Sequence, residues 1–167
     1  MNSYKIIDDF LSDDEFFRLQ KLFLSPSVPW YYNKSVLVVG AKEKHFQFTH
    51  TIYNNWKPDS SLFNDLMPIL EVISPKSLIR IKANLGTRTV ENEETGYHCD
   101  TTYPCTTAIL YLNTTNGYTI FEDGTKIEGI ANRFVEFDSQ LKHSGATQTD
   151  AQARVVLNFN YIKDGGS

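Results

Sequence analysis

Cysteine is nearly absent from this chain. Its 167 residues include two, Cys99 and Cys105, too few and too close together for a disulfide framework. A reducing, cytoplasmic setting is the matching expectation. Clustered positive charge is missing as well. The net charge is -4 at pH 7, and no stripe of Lys and Arg offers the footprint that nucleic-acid binding needs. No obligate nucleic-acid partner is expected. No apolar run approaches the ~20 residues that cross a bilayer as a helix. The opening Met1-Asn2-Ser3-Tyr4-Lys5 lacks the basic-then-apolar order of a leader, so no membrane association is expected. Internal repeats and low-complexity tracts are also missing, and Asp164–Ser167 reads as a frayed tail.

What is present is the composition of a folded domain. Hydrophobic residues make up 41% and charged residues 22%, a balance that excludes intrinsic disorder. The length allows one domain with a full core, read here as 1–167. Aromatics at 13% favour β-structure and a lined pocket.

The first half reads as mixed. Tyr4–Leu11 suggests a short strand and a turn, and Ser12 with Glu15 matches a capping box. Phe16, Leu19, Leu22 and Phe23 repeat at helical spacing, predicting a helix over 13–24. Trp30–Tyr32, Ser35–Val39 and Phe46–Tyr53 look extended. A second helix is expected to open at Lys57-Pro58-Asp59-Ser60 and bury Leu62, Phe63, Leu66, Ile69, Leu70 and Ile73. Pro68 should kink it or begin its last turns. From Ser77 onward strands dominate: Leu78–Leu85, Thr106–Asn113, Tyr118–Glu122, Arg133–Phe137 and Arg154–Ile162, set apart by Gly, Asn and Asp turns. Helices first and strands later argue for an α+β, mainly β chain on an antiparallel sandwich or barrel.

The chemistry concentrates in the second half. His98, Cys99 and Asp100 form an H-x-D triplet. On an extended backbone His98 and Asp100 share a face about 6–7 Å apart, while Cys99 points away and serves packing. The triplet alone is equally what a surface pair or a hydrogen-bonded turn produces. His143 follows the strand and turn of Phe134–Asp138, which can carry it back beside the pair. Two imidazoles and one carboxylate are the facial ligand set for Fe(II). Arg154, Val156, Asn158 and Asn160 alternate onto one strand face. That face is polar for a central strand and needs partners; a bound dicarboxylate gripped by Arg154 would supply them.

These residues carry a resemblance. The chain is similar to the 2-oxoglutarate- and Fe(II)-dependent dioxygenases, in the prolyl-4-hydroxylase-like branch. Phe10–Glu15 resembles that branch's entry segment, and Tyr111-Leu112-Asn113 with Asn116–Phe121 resembles its "YLN … GGxTxF" strands. Leu141-Lys142-His143-Ser144-Gly145 resembles the segment of the distal histidine. The likeness spans most of the chain and is nearest to small bacteriophage and marine-virus members, which would place the protein in a host cytoplasm. It implies a double-stranded β-helix (jelly-roll) core over 77–163, buttressed by helices and strands of 1–76. It implies His98, Asp100 and His143 as iron ligands and Arg154 as the partner of the distal carboxylate of 2-oxoglutarate. Asn158, Thr119 and, with less direct correspondence, Asn84 are implied as further cosubstrate contacts. Fe(II), 2-oxoglutarate and dioxygen (O2) would serve hydroxylation of an unidentified substrate, a peptidyl proline among the possibilities.

Some positions depart from the pattern. Leu110 falls where some hydroxylases have a tyrosine touching the same carboxylate, so that contact is expected to be missing. Asn116 replaces the first glycine of the pair. Gly86–Gly96 is long and polar where relatives turn on a glycine, and suggests a lid over the substrate mouth. His45 and His50 are read as surface or core hydrogen-bonding residues, and Trp30–Tyr32 as core and pocket-rim packing. Cys99 and Cys105 are read as buried small apolar residues. Arg80 and Lys82 either line the pocket and bind an acidic group or form a solvated face. The alternative from another class is a cupin-like jelly-roll binding module without redox chemistry.

Overall fold

A computed structural model describes residues 4–36 and 45–163. Residues 37–39 of the expected extended stretch and the tail 164–167 lie outside them. In chain order the elements are β1 (Lys5–Ile7), α1 (Asp13–Phe23), β2 (Tyr31–Asn33), β3 (Gln47–Asn54), β4 (Lys57–Pro58), α2 (Met67–Ile73), β5 (Ser77–Thr87), β6 (Thr106–Tyr111), β7 (Thr115–Phe121), β8 (Lys126–Gly129), β9 (Phe134–Asp138), β10 (His143–Gly145) and β11 (Ala153–Ile162). The major sheet has eight strands, with path β1-β9-β6-β11-β5-β3-β2 and β4 paired to β3. The minor sheet is β10-β7-β8. All of the pairings are antiparallel.

Strand β11 lies near the middle of the major sheet, and its period-two pattern divides the molecule. Val155, Leu157, Phe159 and Tyr161 turn to one side and join Ile81, Ala83, Ala108 and Leu110 from the flanking strands. Leu19 and Phe23 of α1 and Ile69 and Leu70 of α2 cover that side. Each such Leu, Ile or Phe contributes roughly 1.5–3 kcal/mol by leaving water. On the other side Ile109, Tyr111, Val135, Phe137 and Val156 meet Phe121 and Ile127 of the minor sheet. The result is a jelly roll: two antiparallel sheets face each other over this second core, and the helices buttress the larger sheet.

Several boundaries differ from the sequence expectation, for local reasons. The second helix does not begin at Lys57. Asn55 and Trp56 both hold positive φ, the conformation of a tight two-residue hairpin, and Lys57–Pro58 pairs back onto β3. Ser60 then caps a 3-10 segment, Ser61–Leu66, by accepting from Leu62 N–H. The α-helical turn starts only at Met67, so Pro68 sits in its first turn, where a missing N–H costs nothing. Strands β8 and β10, of four and three residues, are too short to show a period.

The N-terminal segment is tied to the jelly roll. Asn132, at φ 62°, accepts from Leu11 N–H at 3.0 Å and donates to Leu11 C=O at 2.8 Å. Phe10 stacks on Phe134 with ring centroids 4.1 Å apart. Glu15 accepts from both the backbone N–H and the hydroxyl of Ser12, which closes the first turn of α1.

Candidate metal centre

The two histidines of the triad face each other across a single antiparallel bridge. His98 N–H donates to His143 C=O and His143 N–H to His98 C=O, each at 3.0 Å. The 98–100 triplet does not continue as a regular extended strand: one bridge holds His98, and the chain bends at Asp100. His143 enters from β10, whose other edge pairs with β7. Asp100 Oδ1 lies 3.8 Å from His98 Nε2 and 3.9 Å from His143 Nε2. The three ligand atoms fall within 4.8 Å of one another. The two carboxylate–imidazole separations are within the roughly 4 Å that two metal–ligand bonds of about 2.1 Å can span.

The surroundings aim each ligand. His143 Nδ1 is 3.0 Å from Leu141 C=O and His98 Nδ1 is 3.2 Å from Gly96 C=O. Each Nδ1–H donates to its carbonyl, leaving the Nε2 lone pair turned to the centre. Phe137 meets the His143 ring edge-on at 4.8 Å. Asp100 Oδ2 accepts from the Asn158 amide at 3.1 Å and, more distantly, from Asn160 at 3.4 Å. Oδ1 is left to the histidines and to Arg80, whose Nη2 lies 3.6 Å away. Burial pushes the Asp100 carboxyl up, but His143, Arg80, the Asn158 amide and His98 outweigh it and hold its pKa below the ordinary value. Burial depresses His143, with Asp100 opposing. Both shifts favour the metal-ready forms, carboxylate and neutral imidazole.

Arg154 stands at the other end of the same β11 face. The ladder pairs Arg154 with Gly86, Val156 with Asn84, Asn158 with Lys82 and Asn160 with Arg80. The Arg154 guanidinium lies over the Tyr111 ring, 5.4 Å from its centroid, and its Nε is sealed from solvent without an acceptor. Gly117 makes room for it: a Cβ there would come within 2.8 Å of Arg154 Cδ. Thr119 and Tyr111 share a hydroxyl hydrogen bond of 2.7 Å beside this end. A tyrosine ring stands beside Arg154, though not from position 110. Leu110 points into the helix-side core, and its neighbour Tyr111, one residue on and therefore on the opposite face, supplies the ring.

Both ends open into one cleft of about 180 Å³. Its walls include the three ligands, Arg154, Asn158, Thr119, Asn84, Arg80 and Lys82. The structure thus brings every candidate site residue to one cavity and puts Arg80 and Lys82 on its wall. Asn158 donates to Asp100, and its Oδ1 is buried without a partner. Asn84 Oδ1 is buried without a partner. His50 bonds Pro29 C=O and the Ser60 hydroxyl, whereas His45 lies at the cleft and pairs with Glu93 at 3.6 Å. Trp30 packs on the core, while Tyr31 and Tyr32 are exposed.

Two further expectations change. Cys99 is exposed rather than packed, with its thiol 3.2 Å from Gln140 C=O, because the bend at Asp100 turns it outward. Cys105 is half-buried. The 86–96 segment is fastened along 145–152. Arg88 N–H donates to Gln152 C=O, Thr89 N–H to Gln148 C=O, Thr147 N–H to Glu93 C=O and Thr95 N–H to Gly145 C=O. Thr87, Thr89 and Thr95 form cleft wall. Asn116 stays exposed and bonds Thr149 and Asp150, so its replacement of glycine leaves the cavity untouched. Tyr111, Asn160 and Gly117 escaped assignment. Their sequence signals were the likeness of the strands that hold Tyr111 and Gly117 and the polar face of β11 that holds Asn160.

No protein-family model and no curated protein sequence matches the chain. Solved structures do. A prolyl hydroxylase from Trichoplax adhaerens, in complex with a hypoxia inducible factor oxygen degradation domain peptide, superposes with TM-score 0.69 at 16% identity, covering 98% of this chain and 85% of that one. An oxidoreductase of the 2OG-Fe(II) oxygenase family from Burkholderia pseudomallei gives TM-score 0.69 at 13% identity, covering 98% and 87%. A non-heme alpha ketoglutarate dependent epimerase, SnoN from nogalamycin biosynthesis, gives 0.67 at 14%, covering 97% and 77%. The fold of this chain is that of the 2-oxoglutarate/Fe(II) oxygenases, prolyl hydroxylases among them.

Proposed function

We propose that the protein is a 2-oxoglutarate- and Fe(II)-dependent dioxygenase acting as a hydroxylase. The observation that carries this is the pairing, in one cleft, of a two-histidine, one-carboxylate cluster with a buried arginine whose Nε lacks an acceptor. The donor set fits Fe(II). The open Nε of Arg154 fits a carboxylate, which a fork of N–H donors grips at both oxygens. With iron, 2-oxoglutarate and O2 bound, the cofactor chemistry would supply the oxidising power for an unactivated C–H bond.

The chain's own residues account for the rest. His98, Asp100 and His143 would hold the metal from one side and leave the cleft side open. Asn158 and Asn160, by occupying Asp100 Oδ2, would keep this ligand to a single oxygen. Arg154, backed by Tyr111 and admitted by Gly117, would fix the far carboxylate. Ile109 and Val156 on the cleft wall would limit water between the two ends. The primary substrate is proposed to be a peptide side chain or small molecule. A peptidyl proline enters by likeness to the prolyl hydroxylase folds.

Succinate formation that requires both Fe(II) and O2 tests the reading. His143→Ala should remove metal binding or turnover. Arg154→Ala should retain metal and weaken 2-oxoglutarate binding by at least ~10-fold, the worth of a charge-assisted contact. An arginine variant with unchanged cosubstrate affinity would overturn the role given to Arg154.

A further inference from the structure

The cleft carries more positive charge than the metal and cosubstrate account for. Arg80, Lys82 and Asn84 alternate along β5 and all line the cavity. The strand ladder sets Arg80 opposite Asn160 and Lys82 opposite Asn158, level with the amides that hold Asp100. Arg154 is four residues further along β11, roughly 13 Å at about 3.3 Å per residue. The two cations of β5 therefore belong to the metal's end of the cleft and not to the Arg154 end.

Charge balance shows what they lack. Among the described lining residues Arg80, Lys82 and Arg154 are the lysines and arginines, and Asp100 is the single carboxylate. A divalent metal and a doubly charged 2-oxoglutarate cancel each other, leaving an excess of two positive charges in a sheltered cavity. Charges withdrawn from water need partners. Arg80 Nε is buried with no acceptor. Its one ion-pair contact among the described residues, Asp100 Oδ1 at 3.6 Å, is to the oxygen that faces both histidines and would serve the metal. Half-buried Lys82 makes no hydrogen bond or ion pair with the described residues. Beside them on the same sheet face stand the half-buried hydroxyl residues Thr51, opposite Lys82, and Thr49, opposite Asn84.

We infer that Arg80 and Lys82 form a second anion subsite, which holds a carboxylate or phosphate of the primary substrate beside the metal. The substrate is then an anionic molecule, and its charged group fixes which C–H bond reaches the centre. This inference rests on the proposed function, because metal and 2-oxoglutarate must fill the rest of the cleft.

The test separates the two. Protein is first loaded, without oxygen, with Mn(II) and saturating 2-oxoglutarate, which occupies Arg154, and uptake is measured. Propionate and methyl phosphate are then titrated calorimetrically at fixed chloride ionic strength. Wild-type protein should show one saturable site. Lys82→Gln should bind about 10-fold more weakly, the loss expected for one charge-assisted hydrogen bond, and Lys82→Arg should restore most of the affinity. Should the glutamine variant not fold, Lys82→Met carries the same comparison. Preference for methyl phosphate supports a phosphorylated substrate, and preference for propionate supports a carboxylic acid. Absence of a saturable site in loaded wild-type protein, or equal affinity in the Lys82 variants, overturns the inference alone. Failure of wild-type protein to take up 2-oxoglutarate overturns the proposed function and the inference with it.

Discussion

Asn158 sits on the β11 face that also carries Arg154 and Asn160. Alternation along β11 puts it on the cleft face with Arg154, and it does line the cleft. Its amide, however, goes to Asp100. Spacing along a strand tells which face a side chain shares, not which group at that level lies across the cavity. Asn158→Ala is therefore expected to lower metal affinity by about 10–100-fold, as loss of an outer-shell hydrogen bond does. A metal titration checks this; unchanged metal affinity with weakened 2-oxoglutarate would return Asn158 to the cosubstrate. The cluster of His98, Asp100 and His143 was legible because few residue types can form a metal-binding set. Tyr111 was not, because a one-residue shift in register exchanges the two faces of a strand, and that shift separates Leu110 from Tyr111. Gly117 is subtler still. Its φ is unremarkable, and it is needed only because Arg154 Cδ and Ala146 C=O crowd the place of a Cβ, at 2.8 and 2.9 Å. Gly117→Ala should displace the arginine, weaken 2-oxoglutarate by ~10-fold or more and lower stability by about 1–3 kcal/mol through overpacking. Unaltered cosubstrate affinity in a folded Gly117→Ala protein would show that Arg154 does not depend on this gap.

At the level of elements, long strands with a clear period could be read from sequence and short pieces could not. β5 and β11 were found almost whole because each packs apolar side chains on one face and polar ones on the other. β10 is His143-Ser144-Gly145 and has no period to read. Its existence depends on pairing with β7 and on the bridge to His98, both contacts distant in sequence. The helix expected from Lys57 failed for a related reason: the hairpin at Asn55–Trp56 recruits Lys57–Pro58 to β3 before the helical pattern begins. The N-terminal segment also depends on a distant clamp. Asn132 satisfies both backbone groups of Leu11, and its left-handed φ suits glycine. Asn132→Gly keeps the backbone conformation and removes only the clamp, so it should cost about 2–4 kcal/mol for two buried groups left unpaired. Denaturant unfolding measures this, and a loss too small to resolve would mean that Leu11 finds water instead.

For the molecule as a whole, the division of labour follows the two faces of the major sheet. Helices α1 and α2 seal one face with apolar side chains. The other face, turned to the minor sheet, combines a second apolar core with a polar cleft. The polar residues of β5 and β11 look unfavourable in a central sheet until the cleft is seen, and their unsatisfied atoms at Arg80, Asn84, Arg154, Asn158 and Asn160 all border one cavity or its carboxylate. Fold class was legible from the order of helices and strands, whereas the shape of the substrate end was not, because it is set by how β3, β5 and the 86–96 wall meet. The most direct test of the account is to add Fe(II) and then 2-oxoglutarate without oxygen and record the visible spectrum. A metal-to-ligand charge-transfer band is expected in wild-type protein, none in His143→Ala, and in Arg154→Ala a band that needs far more 2-oxoglutarate to develop. A fully metal-loaded wild-type protein with no such band at any 2-oxoglutarate concentration would contradict it.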